Sequence, residues 1–231
     1  MSLHISILRI KVVAAILQEL NEKVVFVGGA TVALYAPREI AFEARPTDDV
    51  DVVIELASYT NYSELDKKLR FVGFKNDIES GIICRYQIQG IIVDIMPTDS
   101  SVLGFSNRWY ANGFENAINF QIDSDTMIKI FSPEYFIASK LEAFKNRGGE
   151  DYRTSTDFED IIYVLDNFPK IEQHLMEIKD DTLNAYFREE FANLLANRNI
   201  EEGIYAHLPT RFAAIKSQMI LDLFKKFVSE R

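Results

Sequence analysis

The chain has 231 residues, 48% of them hydrophobic and 26% charged, with a formal net charge of −10. A chain of this size and balance buries a globular core without covalent staples, and its acidity argues against a broad, nonspecific nucleic-acid binder, which is normally basic. Cys84 is the only cysteine, which excludes an intramolecular disulfide and a cysteine zinc cluster and fits a reducing cytoplasm.

The first segment, residues 5–21, reads as an amphipathic helix with Ile5, Leu8, Val12, Ala15, Ile16 and Leu20 near one face. Arg9, Lys11, Gln18 and Glu19 interrupt it, so it is read neither as a signal peptide nor as a membrane span. Residues 24–27 form a short apolar strand, Gly28-Gly29 breaks it, and Ala30–Tyr35 opens a helix that Pro37 ends. A strand is expected at 49–56 and a helix at 61–70. Residues 82–88 and 91–97 make a hairpin around Gly90. A longer loop with Asn107, Trp109, Asn112 and Gly113 follows, then short strands at 116–122 and 126–131. Ser132-Pro133 is a helix start with Ser132 as N-cap. Helices are expected at about 133–146, 157–166, 170–178, 181–196 and 209–228. The chain is therefore α/β (α+β) first, a mixed sheet flanked by helices over 1–132, and helical over 133–231.

Chemistry concentrates in three aspartates. Asp49 and Asp51 alternate with Val50 and Val52 on a strand, so both carboxylates project to one side. Two adjacent carboxylates repel unless a cation or proton intervenes, and hard Mg²⁺ prefers oxygen ligands. A lone Asp-x-Asp is nevertheless more often a solvated strand end. Asp94 lies in the apolar run Ile91-Ile92-Val93-Asp94-Ile95-Met96, where a carboxylate needs a partner: a metal, or a cation such as Arg85. If its strand lies beside that of Asp49 and Asp51, the three carboxylates converge on a site suited to phosphoryl transfer. Gly28-Gly29, between strand and helix, is either an ordinary tight turn or a place where backbone N–H groups approach a phosphate. Neither a P-loop nor a dinucleotide-binding glycine motif is present. His4, His174 and His207 show no metal-ligand spacing.

The order Val27-Gly28-Gly29, then Arg45-Pro46-Thr47-Asp48-Asp49-Val50-Asp51, then Val93-Asp94-Ile95 resembles the polymerase β-like nucleotidyltransferase superfamily. Lys140–Gly149, followed by Asp157-Phe158-Glu159-Asp160-Ile161, resembles the helical region of the AbiEii/AbiGii-type toxin family of bacterial abortive-infection and toxin–antitoxin systems. The resemblance covers roughly residues 24–166.

It implies a nucleotidyltransferase fold with a catalytic region over 1–132 and a helical region, 133–231, packed on it. It also implies transfer of a nucleoside monophosphate from an NTP to an acceptor hydroxyl, on tRNA, another cellular target or a small molecule. Asp49, Asp51 and Asp94 would bind Mg²⁺, or Mn²⁺ in its place. Gly28, Gly29, Thr31, Arg45, Thr47 and Lys140 would serve the nucleotide. Lys145, Arg147, Asp157 and Asp160 would support the site. The resemblance further implies an antitoxin partner and a cytoplasmic setting. Outside the enzyme class, a non-catalytic nucleotide-binding or interaction protein keeps the same fold, and a two-metal nuclease uses similar carboxylates.

Overall fold

The structure, a computed structural model, describes residues 4–20, 22–56, 58–147 and 151–230; Gly148 and Gly149 of the helical motif lie outside the described residues. The elements run α1 (Ile5–Gln18), β1 (Val24–Val27), β2 (Asp49–Ile54), α2 (Tyr59–Phe71), β3 (Lys75–Asn76), β4 (Arg85–Ile88) and β5 (Ile91–Pro97). Two short helices, α3 (Ser100–Leu103) and α4 (Tyr110–Glu115), precede β6 (Ile118–Gln121) and β7 (Met127–Ile130). Helices α5 (Pro133–Asn146), α6 (Thr156–Asn167), α7 (Ile171–Met176), α8 (Asp181–Ala196), α9 (Ile200–Ala206) and α10 (Ala213–Glu230) complete the chain.

The described residues divide into two compact units. The first takes those up to Leu34 together with Arg38–Phe136; the second takes Tyr35–Pro37 with those from Ile137 onward. In the first unit the seven strands form one mixed sheet in the order β3-β4-β5-β2-β1-β7-β6. β2 pairs with β5 and β1 with β7 in parallel, and the remaining neighbours are antiparallel.

Val50 and Val52 are fully buried, so the alternation read from β2 decides its faces. The β4–β5 hairpin closes on Gln89 and Gly90, with φ of 49° and 77°. Two successive positive φ values are those of a type I′ turn, whose twist matches that of the strands it joins. Between Gly29 and Tyr35 the expected α-helix is instead a 3-10 helix, in which Thr31 N donates to Gly28 O at 3.2 Å. The loop read after β5 contains α3 and α4.

The buried face of α1 differs from the periodicity reading. Ile7, Ile10, Val13 and Leu17 are buried, whereas Ile5 and Leu8 are exposed. Apolar residues surround most of this helix, so spacing alone does not single out a face. His4 caps it: Nδ1 accepts from Ser6 N at 3.2 Å, and Nε2 lies 2.9 Å from Ala44 O. An accepting Nδ1 leaves Nε2 to donate, so one neutral tautomer satisfies both contacts.

In the second unit, Ser155 caps α6 by accepting from Phe158 N, and Asp180 caps α8 by accepting from Thr182 N and Leu183 N. Phe187, Phe191, Phe224 and Phe227, contributed by α8 and α10, form its aromatic core. Ser132 departs from its expected capping role. Its carbonyl accepts from Phe136 N at 2.9 Å, but its buried hydroxyl has no hydrogen-bond partner among the described residues.

Candidate active site

Strands β2 and β5 run side by side in parallel, with Asp51 opposite Asp94 and Asp49 opposite Ile92. This is the pairing on which convergence of the three aspartates depended. Opposed residues share a face of the sheet, and two steps along β2 return to the same face. All three carboxylates therefore meet, each offering an oxygen within 4.8 Å of the others. Asp94 is buried, whereas Asp49 and Asp51 are half-buried.

Gly28 sets how closely the backbone approaches this cluster. Asp51 lies opposite Val27 in the β1–β2 pairing, so the turn after β1 passes directly over its carboxylate. Gly28 has a φ of +69°, and a β-carbon there would lie 1.8 Å from Asp51 Oδ2. Both the left-handed backbone and the missing side chain are required. Thr31 supports the turn from below. It is fully buried and its hydroxyl donates to Gly28 O at 2.9 Å, so it shapes the glycine turn. Gly29 is buried as the first residue of the 3-10 helix.

The entry to β2 is pinned. Thr47 donates through its hydroxyl to Asp49 O at 3.0 Å, and its own N–H donates to Ser6 Oγ at 3.4 Å. Arg9 on α1 donates to Thr47 O and reaches Asp48 at 3.5 Å. Thr47 thus braces the strand that carries the metal-type motif, and Arg45 donates to Pro46 O within the same loop. Arg9 and Ser6 were not among the expected site residues; nothing in their spacing announces a contact some forty positions away.

Arg85 is the cation of the cluster. Its Nε donates to Asp94 Oδ1 at 2.8 Å and its Nη2 to Asp94 Oδ2 at 2.7 Å, with Asp49 Oδ2 3.8 Å from the same nitrogen. These hydrogen bonds to Asp94 push the Arg85 pKa further up, against the opposing effect of burial. The two readings of Asp94, cation-paired or part of an acidic cluster, are therefore both realised. The adjacent Cys84 thiol is pushed up to about 12, by burial first and by the charge of Asp94 second.

Lys140, Lys145, Arg147, Asp157 and Asp160 all belong to the second unit. Lys140 is only 11% exposed and is held by Asp157 at 3.0 Å and Asp160 at 2.7 Å. Burial opposes its charge, but the two carboxylates together outweigh burial and raise its pKa. Arg147 reaches the other oxygen of Asp157 at 2.9 Å. Lys145 pairs with buried Glu190 at 2.5 Å and lies over the Tyr186 ring. The amine expected to meet phosphate is thus engaged in balancing two buried acids. Trp109 and Tyr110 pack against the rest of the first unit: Trp109 is 2% exposed, and Tyr110 stands edge-on to Phe131.

Compared with known proteins, the chain matches the family described as "Nucleotidyl transferase AbiEii toxin, Type IV TA system" over residues 12–228. Among solved structures it is similar to an antigenic nucleotidyltransferase-like protein from Paracoccidioides brasiliensis. The two share 21% identity with a TM-score of 0.50, over 85% of this chain and 90% of that one, a likeness of fold. Among curated proteins, none matches the chain.

Proposed function

Because this chain belongs to the AbiEii nucleotidyltransferase toxin family, we propose that it transfers a nucleoside monophosphate from an NTP to the hydroxyl of a cellular acceptor, with Asp49, Asp51 and Asp94 as its metal-binding catalytic residues. The observation that carries this reading is the parallel β2–β5 register, which places the three carboxylates within 4.8 Å of one another under the Gly28 turn. Their donor set is all oxygen and carries three formal negative charges, a combination that fits hard Mg²⁺ or Mn²⁺. Bound there, such cations supply charge neutralisation for the triphosphate and the transferring phosphoryl group.

The chain's own residues then have distinct tasks. Asp49 and Asp51, held by Thr47 and by the glycine turn, present fixed carboxylates on one strand. Asp94 completes the cluster, and its charge favours loss of the acceptor's proton to solvent. The acceptor oxygen attacks the α-phosphorus, the bond to the bridging oxygen breaks, and pyrophosphate leaves with that electron pair. Gly28, which has no side chain, lets the backbone come close to the phosphates, with Thr31 fixing its carbonyl.

The toxin and Type IV system in the family description support a growth-arresting target, such as tRNA, and a separate antitoxin protein. The net charge of −10 favours a second reading, in which the acceptor is a small molecule instead of a polyanion. A cytoplasmic setting suits either acceptor, and no helix among the described residues is long and apolar enough to cross a membrane. The test is incubation with α-labelled NTPs and Mg²⁺ in the presence of cellular RNA, cellular protein and small hydroxyl compounds. Label in the RNA fraction with release of pyrophosphate supports the tRNA-type acceptor, and label in a small compound supports the second reading. A folded protein that binds NTP and labels none of them contradicts the transferase.

A further inference from the structure

Asp94 enters the acidic cluster already holding a cation. The guanidinium of Arg85 uses both of its oxygens, at 2.8 and 2.7 Å, and stands 3.8 Å from Asp49. A guanidinium keeps its charge at any pH a protein survives, so this positive charge is permanent. Its placement is built into the hairpin. Counting outward from Gln89 and Gly90 reaches Arg85 on one strand and Asp94 on the other, and the two face each other directly. Neither side chain is free to drift, at 21% and 12% exposure.

On the nucleotidyltransferase reading, a divalent cation held by Asp94 would share that carboxylate with the guanidinium. Two like charges so placed repel, and Asp94 cannot give its full charge to both. We infer that Arg85 is a built-in counter-cation of the site: it offsets the charge of the three carboxylates when no metal is bound and competes with divalent metal for the cluster. The inference rests on the metal-binding reading of the triad, but it fails separately from it.

The test is calorimetric titration with MnCl₂ alone on the wild-type chain, Arg85→Gln and Arg85→Lys, with thermal melts of each protein with and without MnCl₂. Arg85→Gln removes the charge and should bind Mn²⁺ about tenfold or more tightly than the wild type. It should melt lower than the wild type without Mn²⁺ and gain more from its addition. Arg85→Lys keeps the charge but loses the two-oxygen grip, so its affinity should rise by a smaller factor; it carries the test if Arg85→Gln does not fold. Wild-type binding with unchanged or weaker binding by the variants overturns the inference and leaves Arg85 a purely structural partner. Absence of Mn²⁺ binding by all three proteins overturns both the inference and the metal-site reading.

Discussion

Replacing Gly28 with alanine perturbs the candidate site through a single carbon atom. A β-carbon at this position would lie 1.8 Å from Asp51 Oδ2, whereas real contacts of this kind essentially never fall below 3.0 Å. The difference, 3.0 − 1.8 = 1.2 Å, is the least by which the carboxylate or the turn must yield. A displacement of about 1 Å in a catalytic group typically costs on the order of 100-fold in rate. The φ of +69° adds backbone strain of about 1–2 kcal/mol for a residue with a side chain, which lowers Tm by about 2–8 °C in a chain of this size. Gly81→Ala is the matched control, because Gly81 has a φ of +70° with nothing within 4 Å of its would-be β-carbon. It should show the strain in a thermal melt and keep full activity. The assay is transfer of label from α-labelled NTP, run beside thermal melts of both variants. If Gly28→Ala loses no more activity than Gly81→Ala, the close approach of the glycine turn to Asp51 has no bearing on the chemistry.

Lys140→Met removes the amine shared by the buried acids Asp157 and Asp160, and leaves Asp157 its contact with Arg147. A loss of about 3–5 kcal/mol in denaturant unfolding is expected, and an unchanged midpoint would refute the balancing role of Lys140. Cys84 should resist thiol reagents at pH 8 until the chain unfolds, since burial and Asp94 hold its pKa near 12. Because that folded-state value lies above the ordinary 9.0, the thiol's contribution to stability is complete below pH 9.0 and is lost as pH rises towards 12. Cys84→Ala should flatten stability in that window, and rapid labelling of the native protein would contradict the burial argument.

Much of the site was legible in the sequence because it depends on short-range rules. The alternation in β2 placed Asp49 and Asp51 on one face, and the turn at Gly90 fixed the β4–β5 hairpin. The same hairpin count also reaches Arg85. Its sequence position named it as a candidate partner of Asp94, but not its simultaneous approach to Asp49. Asp94 joined the triad through the β2–β5 pairing, a long-range event that no local pattern encodes. The bracing of Thr47 by Ser6 and Arg9 is likewise tertiary.

Where local signals were weak, the fold departed from the reading. α1 is apolar on several sides, so the sheet and not the periodicity chose its buried face. β3 has two residues and exists only as a partner of β4. The helices α3, α4 and α9 span four to seven residues, too short for a 3.6-residue period to declare itself. The hydroxyl of Thr31 holds the glycine turn from inside the core, a contact that its place in the sequence does not announce.

The proposed function requires Asp49, Asp51 and Asp94 to act together as a cation site for a nucleotide. A crystal structure of the chain grown with Mn²⁺ and a non-hydrolysable NTP, with anomalous diffraction collected at the manganese edge, tests it most directly. Anomalous peaks coordinated by carboxylate oxygens of these three residues are expected, with the triphosphate beside Gly28. Manganese bound elsewhere, or a triphosphate held away from the β2–β5 carboxylates, would contradict it.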